Sequence, residues 1–303
     1  MASEQIQRQR TSVPPQAPSV VARSWRQARM FARRKPLGAF GAIVLTVLVV
    51  MAALADVIVP YDPFAHDASA ELAGPSLSHL AGTDQFGRDI FSRIILGART
   101  SLWVGVAVTV VAVIPAIALG LASAYFGGWA DYVLQRLVDT VQSVPYLIML
   151  IAIMVVLGPS LTNVIFALSF RRAIVESRVM RGATMSLLNQ TYVESARAVG
   201  ATDWRVMVRH IVPNIMPTVI VIASIGFGGV ILAEASLSFL GYGVPPPTPS
   251  WGGMLAADGR AYMYAAPWML VAPTVALALI VFGVNMFGDA LRDVLDPRLR
   301  GSR

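Results

Sequence analysis

Long uninterrupted apolar runs constrain this chain more than any other feature of its sequence. About 20 mostly apolar residues, rising about 1.5 Å each, match a hydrocarbon core roughly 30 Å thick. Five runs reach that length, and we predict them as membrane spans: Leu37 to Val59, Ser101 to Phe126, Leu134 to Leu157, Thr218 to Leu240 and Trp268 to Phe287. The sequence therefore predicts an all-α membrane protein.

A sixth run, from Ser160 to Met180, is interrupted by Arg171, Arg172, Glu176 and Arg178. The distribution of basic residues tests whether this run is a span, because short cytoplasmic loops collect Lys and Arg. With six spans and the amino terminus inside, 20 of the 24 basic residues fall on the inner side. Five spans would place the arginine-rich carboxyl tail outside, so we predict six.

Two arginines in this sixth run need a specific environment. At mid-bilayer each would cost about 2.5 to 3.5 kcal/mol. We therefore expect Arg171 and Arg172 either to reach the inner interface or to face protein.

The predicted organisation is a cytoplasmic tail over residues 1–36, a membrane domain over 37–289 and a cytoplasmic tail over 290–303. The membrane domain has outer loops at 60–99 and 241–267 and an inner loop at about 181–217. Met1 to Pro18, rich in Gln, Ser and Pro, is predicted to be disordered. A cleaved signal peptide is disfavoured, because its apolar region has about 7 to 15 residues behind a short basic segment.

The composition excludes several classes of protein. Charged residues make up 14% of the chain, against about 25% in soluble proteins. Cysteine is absent, which excludes disulfides and thiolate sites. The only lysine, Lys35, follows no glycine-rich loop, so a phosphate-binding P-loop is excluded. The arginines lie between apolar runs rather than on a soluble basic surface, so nucleic-acid binding is not predicted. The histidines, His66, His79 and His210, lack metal-ligand spacing.

The two outer loops carry weaker signals. In the first, Asp84 is predicted to cap a helix with its apolar residues on one face, namely Phe86, Ile90, Phe91, Ile94 and Ile95. That helix is either a packing elbow that leads into the second span or, less favoured, a docking surface for an outer partner. In the second loop, the run from Pro245 to Leu255 stiffens the backbone. It either shapes a mouth on the outer face or forms a simple turn.

The inner loop between the fourth and fifth spans is predicted to fold, because structureless loops of about 35 residues are uncommon. Tyr192 to Val199 is predicted as a helix that Gly200 ends. Thr202 or Asp203 is then predicted to cap a second short helix that Pro213 ends. The sequence thus predicts a helix–turn–helix on the inner side.

The first helix of this loop has two faces. Val193 and Ala196 form a narrow apolar stripe, and Glu194 and Arg197 beside it have the spacing of an ion pair. A soluble partner with a groove could bind such a helix.

Four long motifs, in order, resemble a known family. The segment YVESARAVGATDWRVMVRHIVPN from Tyr192 resembles the EAA loop of ABC-importer permeases. The segments GTDQFGRDIFSRIILGARTSL from Gly82, EASLSFLGYGVPPPTPSWGGML from Glu234 and GDALRDVLDPRLR from Gly288 resemble the C-type permease of the dipeptide and oligopeptide importers. The resemblance extends over most of residues 25–300.

The resemblance implies a MetI-like fold with six transmembrane helices and a cytoplasmic coupling loop. It implies half of a translocation path for short peptides in the inner membrane, with both termini cytoplasmic. The implied partners are a second six-span permease in a heterodimer, two cytoplasmic ATPase subunits, an outer substrate-binding protein and the lipid bilayer. No catalysis, cofactor, metal or nucleic acid is implied on this chain, since ATP and Mg would bind the ATPase subunits.

The resemblance also implies which residues couple to the ATPases: Tyr192, Glu194, Ser195, Ala196, Arg197, Gly200, Asp203, Trp204 and Pro213. We expect Glu194 to Val199 to insert in an ATPase groove and Gly200 to allow the chain reversal. We expect Trp204 to His210 to anchor the loop to the inner ends of the bundle.

The chain departs from the family pattern at three places. Ser195 stands where a second alanine is usual, and His210 stands where isoleucine is common. The segment SFRRAIVES from Ser169 is more charged than the family usually is.

The candidates for lining or gating the path lie in the fifth span: Gly226, Phe227, Gly228 and Glu234. An intramembrane carboxylate is a functional hypothesis by default, and a structural acid near the outer end is an equal alternative. For the glycines, helix packing is favoured over gating.

Other functions remain open at this point. The alternative is a secondary transporter, or a permease for a non-peptide solute such as haem or a nickel chelate. A secondary transporter would usually show inverted repeats or paired carboxylates at mid-depth, and neither is evident.

Overall fold

The structure is a computed structural model that describes residues 29–295, apart from the side chains of residues 257, 258 and 295. The predicted disorder of Met1 to Pro18 and the end of the carboxyl tail lie outside this range. Within it the chain is helical, with one isolated bridge between Thr83 and Asp89. The helices are α1 Pro36–Ile58, α2 Ile90–Phe126, α3 Gly128–Ser143, α4 Tyr146–Leu157, α5 Leu161–Leu188, α6 Thr191–Ala198, α7 Asp203–Phe239, α8 Trp251–Met254, α9 Ala257–Ala261 and α10 Trp268–Leu295.

Four of the described helices, α1, α2, α7 and α10, are long and apolar enough to cross a membrane. The bent pair α3 and α4 adds a fifth span if it is counted as one. Helix α5 has 28 residues, but it carries too many charged side chains to be counted among the apolar spans. The count of six spans therefore stays a prediction.

The third predicted span, Leu134 to Leu157, was wrong as a continuous helix. The chain bends by 92° between α3 and α4. Pro145 lacks an amide hydrogen and disfavours a helical conformation at the residue before it. Val144 accordingly has extended backbone angles, with φ −83° and ψ 127°.

Helix α3 is held to α5 by polar contacts along its length. The Asp131 carboxylate pairs with the Arg181 guanidinium at 2.6 Å. Arg178 donates to Asp139, about two turns further along α3. These contacts explain why α3 is amphipathic rather than uniformly apolar.

The predicted helix capped by Asp84 was also wrong. The Asp84 carboxylate accepts the backbone N–H groups of Phe86 and Arg88, at 2.9 and 3.0 Å, and so closes a turn. Gly87, with φ +71°, has a left-handed conformation that a helix does not continue through. The N-cap is instead Asp89, which accepts from the backbone of Ser92 at 2.7 Å. The helix then runs on as α2 without an elbow.

Glycines permit close approach between the long helices. A Cβ atom at Gly120 of α2 would lie 2.5 Å from the carbonyl oxygen of Ser177 in α5. A Cβ atom at Gly41 of α1 would lie 2.2 Å from the carbonyl oxygen of Gly283 in α10. Small residues at such crossings let helix backbones pack without a hydrophobic driving force.

The second outer loop packs down on the bundle. Trp251 is buried, and its indole nitrogen donates to the carbonyl oxygen of Ile94 in α2 at 3.1 Å. A cavity of about 460 Å³ lies between this loop and the first outer loop, with Arg88, Arg93 and Ser250 in its lining. The proline-rich run is thus part of a packed cover over the outer ends of α2 and α7.

Candidate coupling loop and charged cluster

Helix α6 ends in a defined turn. The N–H of Ala201 donates to the carbonyl of Ala196 at 3.0 Å, and the N–H of Gly200 donates to that of Arg197 at 2.9 Å. This pair of hydrogen bonds is the Schellman motif. Gly200 has φ +84°, a conformation that an L side chain disfavours. The predicted chain reversal at Gly200 is therefore present.

The second helix begins as predicted but does not end as predicted. The Thr202 hydroxyl accepts from the N–H of Arg205 at 3.4 Å, so Thr202 is the N-cap. A π-helical segment, Val206–Ile211, then leads directly into the rest of α7. Pro213 falls in the first turn of the resumed α-helix, where a missing N–H is tolerated. The prediction that Pro213 ends the helix was wrong.

The apolar stripe of α6 faces inward. Val193 and Ala196 are buried in one apolar cluster with Met180 of α5 and with Met207 and Ile211 of α7. The stripe is thus occupied by the chain itself, and a partner would meet the opposite face.

That opposite face is exposed, and we call it the coupling surface. Its exposed members are Tyr192, Glu194, Ser195, Arg197, Val199 and Trp204. Val199 is 84% exposed and Trp204 is 71% exposed. Within the segment Trp204 to His210, which we expected to anchor the loop, Val206 and Met207 pack against the bundle, whereas Trp204 does not.

Sequence reasoning missed Tyr125, at the carboxyl-terminal end of α2. Its hydroxyl donates to the Asp203 carboxylate at 2.6 Å. The Arg197 guanidinium lies over the Tyr125 ring, 5.0 Å from its centroid. In the described part of the chain Arg197 makes this contact rather than the predicted ion pair with Glu194. The coupling loop is thus tied to α2 as well as to α5.

A charged cluster lies in the middle of the bundle. The Arg172 Nε donates to Glu176 at 2.7 Å, one turn along α5. The same guanidinium donates to the Thr109 hydroxyl of α2 at 3.3 Å and to the carbonyl of Ile222 in α7 at 3.4 Å. As predicted for these arginines, Arg172 faces protein. Arg171 also faces protein, with its guanidinium over the ring of Tyr146, 4.5 Å from the ring centroid.

The structure separates the four path candidates. A Cβ atom at Gly226 would lie 2.3 Å from an Arg172 guanidinium nitrogen, so Gly226 makes room for the charged cluster. The Phe227 ring packs on Gly105 of α2, and Gly228 lies against Asn285 of α10. Gly228 thus packs two helices together, in line with the interpretation favoured for the glycines.

Glu234 lies elsewhere. It is 1% exposed near the outer end of α7, and the Ser238 hydroxyl donates to it at 2.7 Å. Ser238 in turn accepts from the N–H of Val244 at 3.2 Å. Glu234 is therefore tied to the base of the second outer loop and does not share the mid-depth cluster.

No metal centre is evident in residues 29–295, where no three His, Cys, Asp or Glu side chains are grouped to hold an ion. The described charges at mid-depth are instead arranged as contacts between helices.

Comparisons with known proteins agree with the helical architecture. Residues 116–301 match the family described as "Binding-protein-dependent transport system inner membrane component". Residues 24–75 match the "N-terminal TM domain of oligopeptide transport permease C".

Two curated relatives align along nearly the whole chain. A dipeptide transport system permease protein of Alkalihalophilus pseudofirmus is 38% identical over 289 residues, which cover 95% of each chain. A glutathione transport system permease protein of Pectobacterium atrosepticum is 40% identical over 280 residues, covering 91% of this chain and 92% of the relative.

A solved structure shares the fold. It is a chain of the MetNI methionine ABC transporter in an inward-facing conformation, with a TM-score of 0.54 and 18% identity. The match covers 67% of this chain and 96% of that one. The fold is therefore MetI-like.

Proposed function

This chain belongs to the family of binding-protein-dependent transport system inner membrane components, and we propose on that basis that it forms half of a translocation path for short peptides. The observation that carries the proposal is the form of the coupling loop. Its apolar face is occupied by the chain's own bundle, while its polar and aromatic face is left for a partner.

The chain is a permease subunit of an ABC importer and not an enzyme; such importers work with partner ATPases and a substrate-binding protein. We propose a finer composition: a heterodimer with a second six-span permease, two cytoplasmic ATPase subunits that bind ATP and Mg, and one outer binding protein. The sequence supports this division of labour, since the chain has no P-loop of its own.

Short peptides are the proposed substrates because the two curated relatives are permease proteins of a dipeptide and a glutathione transport system. These names favour peptides over the haem or nickel-chelate alternative.

Force would pass from the ATPases into the bundle through α6. The partner would bind the coupling surface around Glu194 and Val199. Movement of α6 would reach α5 through Val193, which shares an apolar cluster with Met180. The Tyr125 hydrogen bond to Asp203 gives a second route, into α2. Rocking of two permeases about a central path would then alternate access.

The proposed orientation places both termini and the coupling loop in the cytoplasm. It rests on the excess of basic residues on that side. Because the chain has no cysteine, single-cysteine variants can test it. In spheroplasts that express the permease pair without its ATPases, a membrane-impermeant maleimide should label Leu77→Cys in intact cells and Val199→Cys only after lysis. The reverse pattern would refute the orientation.

Reconstitution tests the function itself. Proteoliposomes that hold the chain with the second permease and both ATPases would receive the binding protein and either dialanine or glutathione. We expect uptake of at least one of them that requires ATP. Uptake driven by an ion gradient without ATP would instead support a secondary transporter, and absence of uptake would contradict a peptide substrate.

A second variant tests the coupling loop. Gly200→Val places a β-branched side chain at φ +84°, so we expect loss of ATP-driven uptake and of complex assembly. If both survive, the coupling assignment is wrong.

A further inference from the structure

The charged cluster of Arg171, Arg172 and Glu176 lies at mid-depth in α5. About 15 Å of helix separates Leu161 from Arg171, at about 1.5 Å per residue. Ionisable groups at this depth are costly, so they are functional hypotheses by default.

The charges of Arg172 and Glu176 neutralise one another in an ion pair. Their ion pair, with the contacts to Thr109 and Ile222, joins α5 to α2 and α7. This pair has a structural role, and it uses the one carboxylate of the cluster.

Arg171 is left with a positive charge in excess. No ion pair to it is present in the part of the chain that the structure describes, and its buried Nε has no hydrogen-bond partner there. The Tyr146 ring holds the guanidinium through a cation–π contact, which orients the charge without neutralising it.

The surroundings of Arg171 suit a charged solute. Tyr146 is the first residue of α4, directly after the 92° bend. Broken helices at membrane depth are tolerated where they are buried in protein or line a water-filled cavity. The Tyr146 side chain is exposed and that of Arg171 is partly exposed, so the described part of this chain does not fully cover either one.

We propose that Arg171 binds a carboxylate of the transported solute as it crosses the membrane, and this inference rests on the proposed function. A guanidinium offers a carboxylate two parallel hydrogen bonds. The alternative is that Arg171 pairs with an acidic side chain of the second permease. The experiment below distinguishes the two.

The experiment compares dialanine with its carboxyl-terminal amide in the reconstituted complete transporter. The two compounds compete for uptake, and the uptake rate of each is divided by the affinity of the isolated binding protein for that compound. The corrected ratio is the resulting value for the free acid over that for the amide. Since the binding protein is the same throughout, any change in this corrected ratio belongs to the permease. In the wild type we expect the ratio to favour the free acid by at least about tenfold.

Three variants distinguish an effect of the positive charge at position 171 from a general disturbance of α5. Arg171→Gln should bring the corrected ratio close to one, while Arg171→Lys should keep most of the preference. Arg178→Gln is the matched control, because Arg178 lies on the same helix but is paired with Asp139. It should leave the ratio unchanged.

Several outcomes would overturn the inference. A corrected ratio of one in the wild type, or the wild-type ratio in Arg171→Gln, would show that Arg171 does not bind the carboxylate. Failure of Arg171→Gln to assemble, with or without failure of Arg171→Lys, would show that the side chain pairs with another subunit. Absence of ATP-driven uptake in the wild type would instead count against the proposed function.

Discussion

The Tyr125 hydroxyl donates a 2.6 Å hydrogen bond to the Asp203 carboxylate, across 78 positions of sequence. It joins the carboxyl-terminal end of α2 to the first turn of α7, at the residue that follows the Thr202 cap. The Arg197 guanidinium covers the same ring from α6. One side chain therefore contacts both helices of the coupling loop.

Removal of this hydroxyl should loosen the loop. Tyr125→Phe loses one hydrogen bond, with a cost of about 0.5 to 1.5 kcal/mol. Hydrogen exchange of the amides between 197 and 205 should then rise about two- to tenfold. Tyr132→Phe is the control, because the Tyr132 ring is exposed and stacks on Trp129. Equal exchange in the two variants would show that the Tyr125 hydroxyl does not hold the loop.

Gly200 should be sensitive to backbone strain rather than to space. A Cβ atom there meets no atom within 4 Å, yet φ is +84°. We expect Gly200→Ala to lower the stability of the loop by about 1 kcal/mol and Gly200→Asn to lower it less. The hydrogen-exchange rate of the Ala201 amide should therefore be higher in Gly200→Ala than in Gly200→Asn. Equal effects of the two variants would argue against a strain origin.

Gly120 and Gly182 form a matched pair. Gly120→Ala should lower the free energy of unfolding by about 1 to 3 kcal/mol, because its Cβ would meet the Ser177 carbonyl. Gly182 lies in α5 with nothing within 4 Å, so Gly182→Ala should be neutral or stabilising by up to about 1 kcal/mol. Thermal denaturation of the two variants in detergent compares them. A more stable Gly120→Ala protein would contradict the close crossing of α2 and α5.

A second pair of glycines tests the charged cluster. Gly226→Ala should displace the Arg172 guanidinium from its Thr109 and Ile222 contacts and lower the thermal stability. Gly229, three residues along, has open space around its Cβ position, so Gly229→Ala should not lower it. If both variants unfold at the wild-type temperature, Arg172 has room to move and its contacts contribute little.

The sequence predicts the features that depend on local chemistry. Apolar runs of sufficient length indicate the helices, and Gly200 indicates the turn because few other residues adopt its conformation. The buried face of α6 was also visible as a stripe of Val193 and Ala196, although its partner proved to be the chain itself.

Other features depend on choices that a single sequence leaves open. Pro145 signals a break, but the apolar character of the run from 134 to 157 hides it. Asp84 and Asp89 are both good caps, and the left-handed Gly87 decides between them. Tyr125 and Asp203 carry no local sign that they meet. Contacts of this kind arise only once the helices have packed.

We infer that an ATPase covers the coupling surface, and the accessibility of one cysteine on that surface measures whether it does. Val199→Cys would be labelled with a maleimide in the permease pair alone and in the complex with ATPases. Leu77→Cys, on the fully exposed Leu77, is the control and should react equally in both. We predict that the ATPases protect Val199→Cys from labelling. Equal labelling of Val199→Cys with and without the ATPases would show that no ATPase covers this surface.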